Sequence, residues 1–346
     1  MGIFYTLYNT TTFRLNDFPG RTALYVSVSI PLVAVLLAGN ILVVVTVFTQ
    51  GALKKPSYYI LTSLAITDLL TGIIGVPFEV YRRTVTDDIT CSAKWDVYLT
   101  SVTYICGLDS MLLMLLVTFD RYLAVVKPLR YNIYVTPRRI LIAVILTWVV
   151  SIAYNATLIA LGSSQVTVPG FYCSPVRKEP SAATLIVDIA TFCLTLFGGV
   201  TVVLLNVIIL RTAIVQSRRI AAHQCSSAGP PAVDAEGRED ARRKIKASKI
   251  VLFIVTAFIF CHLPVGIMHL CFVVSEDFAL NSALTHVSCL LFYVSSAINP
   301  FVYSKMDRVF RQSVVRMLRS CCKKELRDDT GVSATDYSMT HHNNNE

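Results

Sequence analysis

Seven stretches of this sequence stay apolar over about the length that crosses a lipid bilayer, and nothing else in the chain limits its fold so strongly. A hydrocarbon core about 30 Å thick is crossed by about 20 helical residues, and a crossing segment must satisfy its own backbone hydrogen bonds. The stretches run from Leu24 to Phe48, Tyr58 to Val80, Trp95 to Val126, Ile140 to Leu161, Ala182 to Leu210, Ile250 to Val274 and Leu284 to Tyr303. The third and fifth are the longest and are expected to project beyond the lipid. Composition agrees, with 54% of the 346 residues hydrophobic and 15% charged, a balance too apolar for an ordinary soluble domain of this size. The expected fold is an all-α membrane protein, a bundle of seven transmembrane helices.

Charge then orients the bundle. A net charge of +9 could suit nucleic acid, but the Lys and Arg cluster in short segments between apolar runs and form no solvated basic domain. Cytoplasmic loops are enriched in such residues. Lys54 and Lys55 follow the first stretch, Arg130, Arg138 and Arg139 the third, and Arg218, Arg219, Arg242, Arg243, Lys244 and Lys246 the fifth. The alternate loops hold fewer, chiefly Arg82, Arg83, Lys94, Arg177 and Lys178. An odd number of crossings places the N-terminus outside the cell membrane and the C-terminus in the cytoplasm.

The remaining segments give the domain organisation. Residues 1–23 form an extracellular N-terminus with the sequon Asn9-Thr10-Thr11, a glycosylation acceptor. It lacks the pattern of a cleaved leader, so the first span is expected to serve as its own targeting signal. Residues 24–304 form the transmembrane domain. Residues 305–319 place Met306, Val309, Phe310, Val314 and Met317 at helical spacing among Lys305, Arg308, Arg311 and Arg316, the pattern of an amphipathic helix on the inner membrane surface. Cys321 and Cys322 follow, either as palmitoylation sites or as plain surface thiols. The polar tail, 320–346, is expected to be disordered, its Ser and Thr either phosphorylation sites or solubilising residues.

Polar groups inside lipid are costly and by default suggest function, and their arrangement here is familiar. Gly39-Asn40 lies in the first span, Leu64-Ala65-Ile66-Thr67-Asp68 in the second and Asp120-Arg121-Tyr122 at the end of the third. Trp148 lies in the fourth, Phe258 with Cys261-His262-Leu263-Pro264 in the sixth, and Asn299-Pro300-Phe301-Val302-Tyr303 in the seventh. In this order, on these spans, they resemble the rhodopsin-like family of G-protein-coupled receptors. The resemblance covers Leu24 to about Arg319 and implies a receptor, not an enzyme, that signals through heterotrimeric G proteins, with arrestin and receptor kinases as further partners.

Residue roles carry over by position. Asp68 is a carboxyl at mid-membrane depth that should either bind a cation or take a proton. In the family this position binds sodium, with Ser110, Ser296 and Asn299 completing the pocket, so sodium is a possible allosteric modulator and no other cofactor is expected. A protonated Asp68 that ties helices together is the rival reading. Arg121 is implied to pair with Asp120 at rest and to release it on engaging the G protein, beside Tyr122. The base of the sixth span reads Arg242-Arg243-Lys244-Ile245-Lys246, without the acid that gives some relatives a second lock, which points to raised basal activity. Pro128-Leu129 resembles the site where the family inserts an apolar side chain into the G protein. Pro264 and Pro300 break helix hydrogen bonds beside Asn299 and Tyr303 and are expected hinges.

Two departures matter. Cys91 and Cys173 look like the family's extracellular disulfide pair, yet Cys91 stands 30 residues before Arg121, about 45 Å of helix, over a turn farther than usual. Ser295-Ser296-Ala297-Ile298 with Tyr293 leans toward the small-molecule branch that includes amine receptors. The amine-pairing aspartate of the third span is missing: counting from Arg121 the site holds Thr103, and counting from Cys91 it holds Tyr98. Glu79 is an alternative counterion facing Tyr293, or else pairs with Arg82 or Arg83. His262 stands where relatives have tryptophan, the seventh span has no lysine before Lys305, which argues against retinal, and the fifth span has Gly198-Gly199 and Asn206 where proline and tyrosine are usual. A divergent orphan or peptide-binding receptor is the alternative. A channel or transporter would want charged rings or repeats, whereas Asp68, Asp109 and Asp188 are scattered singly. An intramembrane enzyme would need a paired nucleophile and base or a metal cluster, and His262 and His269 have no carboxylate to match.

Overall fold

A computed structural model of the chain describes residues 19–50, 55–84, 93–160, 166–167, 175–176, 182–226, 259–271, 274, 278–306 and 308–329. The first span is α1 (Pro19–Thr49). The second comprises α2 (Ser57–Leu70), a π-helical turn (Thr71–Gly75) and α3 (Val76–Thr84). The third is α4 (Ala93–Val126), followed by a 3-10 turn (Pro128–Arg130) and the short α5 (Tyr131–Tyr134). The fourth and fifth are α6 (Pro137–Ala160) and α7 (Ala182–Ser226). The sixth is described as α8 (Ile259–Cys271). The seventh is α9 (Phe278–Met306), and α10 (Arg308–Asp329) follows it.

Among the described residues six helices are long and apolar enough to cross a membrane, and α8 is a shorter apolar helix. At about 1.5 Å per residue, the 34 residues of α4 and 45 of α7 exceed the hydrocarbon thickness. Between α6 and α7, strands β1 (Val166–Thr167) and β2 (Pro175–Val176) pair antiparallel with Val166 opposite Val176.

The second span sits at the centre. It packs on α1, α4, α6 and α9, while α4 also packs on α6 and α7. Its most apolar window is 67% buried, against 22% for α1, α6 and α7, so those three present most of their apolar surface to lipid. In α1 the buried residues include Tyr25, Ser29, Leu36, Asn40 and Val43, and in α6 they are Ile140, Val144, Ser151, Asn155 and Leu158. Both sets recur at steps of four, seven, four and three residues, one helical face. The opposite faces carry Ile30, Val35 and Ile41, or Leu141, Ile145 and Val149, all exposed. The polar Ser29, Asn40, Ser151 and Asn155 are all turned inward while the outer faces are apolar, as a lipid solvent selects, because helix association in lipid rests on close packing and hydrogen bonds.

Close packing is tightest where α1 crosses α9. A Cβ on Gly39 would lie 2.8 Å from Cγ of Pro300, so only glycine lets the two helices meet there. The π-helical turn also has a local cause. Pro77 brings no N–H to the ladder and its ring crowds the preceding turn, and the Val76 N–H donates five residues back to the Thr71 carbonyl.

At the end of the bundle where the chain leaves α9, α10 folds back against α1 and α9. Phe310, Ser313 and Met317 are buried while Arg311 and Arg316 are exposed, and the Thr46 hydroxyl lies 3.5 Å from Sδ of Met317. The helix runs on to Asp329 instead of ending at 319, because the following Lys, Glu and Arg residues are good helix formers.

Candidate functional site

Three polar layers lie along the bundle axis. At one rim, near the end of α4, an Arg121 guanidinium nitrogen sits 2.8 Å from Oδ2 of Asp120. Asp120 is 2% exposed and Arg121 is 38% exposed, so the carboxylate is sealed and the arginine reaches the surface. Two further groups hold the carboxylate. The Tyr131 hydroxyl donates to Oδ1 at 2.8 Å, the Ser57 hydroxyl lies 3.2 and 3.3 Å from its two oxygens, and the two hydroxyls are 3.1 Å apart. Burial pushes the Tyr131 phenol above its ordinary value, the Ser57 hydrogen bond opposes this, and the Asp120 charge adds to it. The phenol therefore stays a donor. Ser57 and Tyr131 carry no motif of their own; Tyr131 lies two residues beyond Leu129, and only the fold brings Ser57 to the same carboxylate. Tyr122 stacks on Phe119 with ring centroids 6.2 Å apart, and Pro128 and Leu129 face outward, Leu129 being 95% exposed.

At mid-depth Asp68 is fully buried, and the Asn299 amide donates to its Oδ2 at 2.9 Å. Asp68 Oδ1 and Ser110 Oγ are buried with no hydrogen-bond partner among the described residues, and Ser296 lies against the same carboxyl. Asn40 reaches across from α1 to the Ser296 carbonyl at 3.2 Å, and the Tyr303 hydroxyl is buried without a partner among the described residues. An orphaned oxygen of the buried Asp68 carboxyl and the orphaned Ser110 hydroxyl are of the donor type that a small hard cation takes. Asn299 spends its amide nitrogen on Asp68 and so orients the carboxylate. Pro264 is half-buried in α8 and Pro300 is buried inside α9.

Toward the opposite end, Tyr293 and Phe292 pack with Val76, Val80, Leu32, Val33 and Cys289. His262 is buried edge-on to Phe292, with ring centroids 5.7 Å apart. Glu79 turns to the seventh span, where the Cys289 thiol lies 4.0 Å from Oε1. Thr103 is half-buried, its hydroxyl against Gly75 of the π-helical turn. Sequence reasoning missed Tyr104, whose ring is 6.4 Å from that of the buried His269. An apolar cavity of about 270 Å³ between the third, fifth and sixth spans is lined by Met111, Thr195, Gly199, Val203, Ile259 and His262.

Phe258, Asn9, Cys91 and Cys173 lie outside the described residues, as do the side chains of Arg82, Arg83, Cys321 and Cys322. The disulfide, the glycan, both acyl sites and a Glu79 pairing with either arginine therefore have no geometry here. No group of three or more His, Cys, Asp or Glu able to hold a metal occurs among the described residues.

Comparison with known proteins converges on one family. The profile of seven-transmembrane receptors of the rhodopsin family matches residues 39–303. The chain is 29% identical to the human histamine H2 receptor over 303 residues, covering 84% of this chain and 78% of that protein. The dog histamine H2 receptor is 26% identical over 317 residues, covering 89% and 83%, and the human adenosine receptor A2a is 26% identical over 307 residues, covering 86% and 73%. A buried carboxyl held by an asparagine at mid-depth, an acid-arginine pair at one rim and a family match over most of the chain lead to a single conclusion: this protein belongs to the rhodopsin family of seven-transmembrane receptors.

Proposed function

We propose that this receptor lies in the cell membrane with its N-terminus outside and its C-terminus in the cytoplasm, binds a small amine-like molecule, and activates heterotrimeric G proteins. The observation that carries the reading is the closed pair at the inner rim, where Asp120, held by Ser57 and Tyr131, retains Arg121 beside an exposed Leu129. Opening that pair frees a cation and an apolar side chain on one face, a surface suited to a G protein, with arrestin and receptor kinases as later partners. Pro264 and Pro300, beside Asn299 and Tyr303, are the bends through which the outer end moves the inner one. Asp68, Ser110 and Ser296 would hold a sodium ion, with Asn299 fixing the carboxylate, and a bound cation would favour the closed form.

The ligand reading rests on the outer layer and on the relatives. Two are named for small molecules, histamine and adenosine. With Thr103 in the third span supplying no charge, Glu79 is the counterion for an ammonium, and Tyr104, His262, His269 and Tyr293 offer rings and polar edges. The test is nucleotide exchange on added G protein in membranes holding the receptor, across a panel of amines. Amine-dependent exchange is expected in the wild type and absent in Arg121→Ala; ion flux without a G protein would overturn the receptor reading. Glu79→Gln should weaken amine potency roughly 10- to 100-fold, the loss of one hydrogen bond to a charged group, and unchanged potency would place the counterion elsewhere.

A further inference from the structure

The glycine pair of the fifth span, Gly198-Gly199, plays no part in the mechanism above, and its two members meet different surroundings. A Cβ on Gly198 would lie 3.0 Å from Sδ of Met111, so α7 needs that glycine to lie close against α4. A Cβ on Gly199 would meet nothing within 4 Å. Alanine would fit there and suits a helix better, so packing gives no reason for the second glycine. The open space belongs to the cavity of about 270 Å³ between the third, fifth and sixth spans. It begins where α7 and α8 part. A Cβ on Gly266 of α8 would lie 3.3 Å from Cγ2 of Thr195, and farther along α7 the Gly199 position is bare. Met111 and His262 form the buried back wall, and Leu196, Val200, Leu204 and Leu263 stand exposed at the mouth.

We propose that this cavity is a lipid site that takes the end of an acyl chain from a bilayer phospholipid. Continuity with the membrane surface carries the assignment. The mouth residues belong to the apolar outer faces of α7 and α8, where Phe197, Phe260 and Ile267 are exposed beside them, so a molecule reaches the mouth through hydrocarbon. Behind it the lining is apolar apart from Thr195 and His262, and the Thr195 hydroxyl is committed to the Thr191 carbonyl at 2.9 Å. Water needs several polar partners, more than this lining offers among the described residues, whereas an apolar void stays dry and takes hydrocarbon. Size and depth fit a chain end. A void of about 150 Å³ takes one benzene ring, so 270 Å³ holds about ten carbons by proportion. A sterol's fused rings hold more carbon than that. Met111 follows Ser110 of the mid-depth layer, and half of a hydrocarbon core is about 15 Å, a distance that a fatty acyl chain covers with its headgroup still at the surface. The chain end then touches the third, fifth and sixth spans and, through His262 edge-on to Phe292, bears on the seventh. It lodges beside Leu263 and Pro264, so lipid tails would tune the bend assigned to Pro264; that last step rests on the proposed function, and the binding does not.

The test is photocrosslinking of the full-length receptor in nanodiscs of phosphatidylcholine that carries a diazirine at the end of one acyl chain, with the adducts located by mass spectrometry of peptides. Adducts are expected on Met111 and His262, which a tail lying along the outer face does not reach because both side chains are buried. Gly199→Leu fills the space, and labelling of Met111 and His262 should fall to background while Leu196 and Leu204 stay labelled. Should Gly199→Leu fail to fold, Val203→Phe narrows the same cavity and carries the same expectation. Absence of adducts on Met111 and His262, adducts there that neither substitution removes, or labelling of both by a diazirine sterol in preference to the phospholipid would overturn the proposal. Nucleotide exchange does not enter these measurements, so a failure of G-protein coupling and a failure of lipid binding are told apart.

Discussion

The hydroxyl of Tyr131 is a single atom whose removal should waken the receptor without ligand. Tyr131→Phe deletes the donor 2.8 Å from Oδ1 of Asp120 and leaves the ring in place. A hydrogen bond to a charged group contributes about 1.5–3 kcal/mol. Two features lower that figure, since Tyr131 is only half-buried and the Ser57 hydroxyl stays within 3.2 Å of the carboxylate. About 1–2 kcal/mol remains, a factor of roughly 5–30 in an equilibrium constant. If the closed pair belongs to the resting form alone, an active population of about 1% rises to about 5–20%. The assay is agonist-free nucleotide exchange at matched surface expression, repeated in Asp120→Asn, where the effect should shrink because the charge is gone. Unchanged exchange, or the same increment in both backgrounds, would refute the reasoning. The sign for pH also follows. A phenol held above its ordinary value near 10 keeps its proton, so the contact is complete below that value and is lost only as pH rises through the higher folded one. This group should therefore contribute no pH dependence between about pH 6 and 9.

Gly39→Ala drives a methyl against the Pro300 ring, which cannot rotate aside. Overpacking of about 1–3 kcal/mol outweighs the roughly 1 kcal/mol that alanine gains in helix propensity, so the purified receptor should melt a few degrees lower; an unchanged or higher melting temperature counts against the close contact. Leu129→Ala should leave folding and ligand affinity intact, because the side chain is 95% exposed, yet reduce agonist-stimulated exchange roughly tenfold, the loss expected of an interface anchor. Full coupling in that variant would remove Leu129 from the G-protein surface.

The spans were legible because lipid leaves a chain so few choices: apolar runs of fixed length, basic residues at one end, and polar residues rare enough to stand out. Asp68, Asn299, Asp120 and Arg121 could be singled out for that reason. What stayed hidden depends on which helix faces which. Asp109 reads as a scattered acid until α2 supplies Thr67, whose hydroxyl donates to it at 2.7 Å. Ser57 reads as an unremarkable first residue of a helix until the end of α4 is set beside it. From the sequence Glu79 faces either Tyr293 or Arg82 and Arg83, and nothing in the spacing nominates Cys289 as its neighbour. Pro77 is the one sequence signal for the π-helical turn that precedes it.

That turn changes how this receptor can be compared with others. One residue too many between Thr71 and Gly75 swings everything outward of it by about 100° around the axis, so a ruler laid from Asp68 and counted in ordinary turns lands on the wrong neighbour. A relative that winds straight through this point needs a gap opened there before any outer position is equated. Without it, Glu79 is matched to a residue that looks toward a different part of the bundle, and conclusions about ligand preference inherit the misalignment.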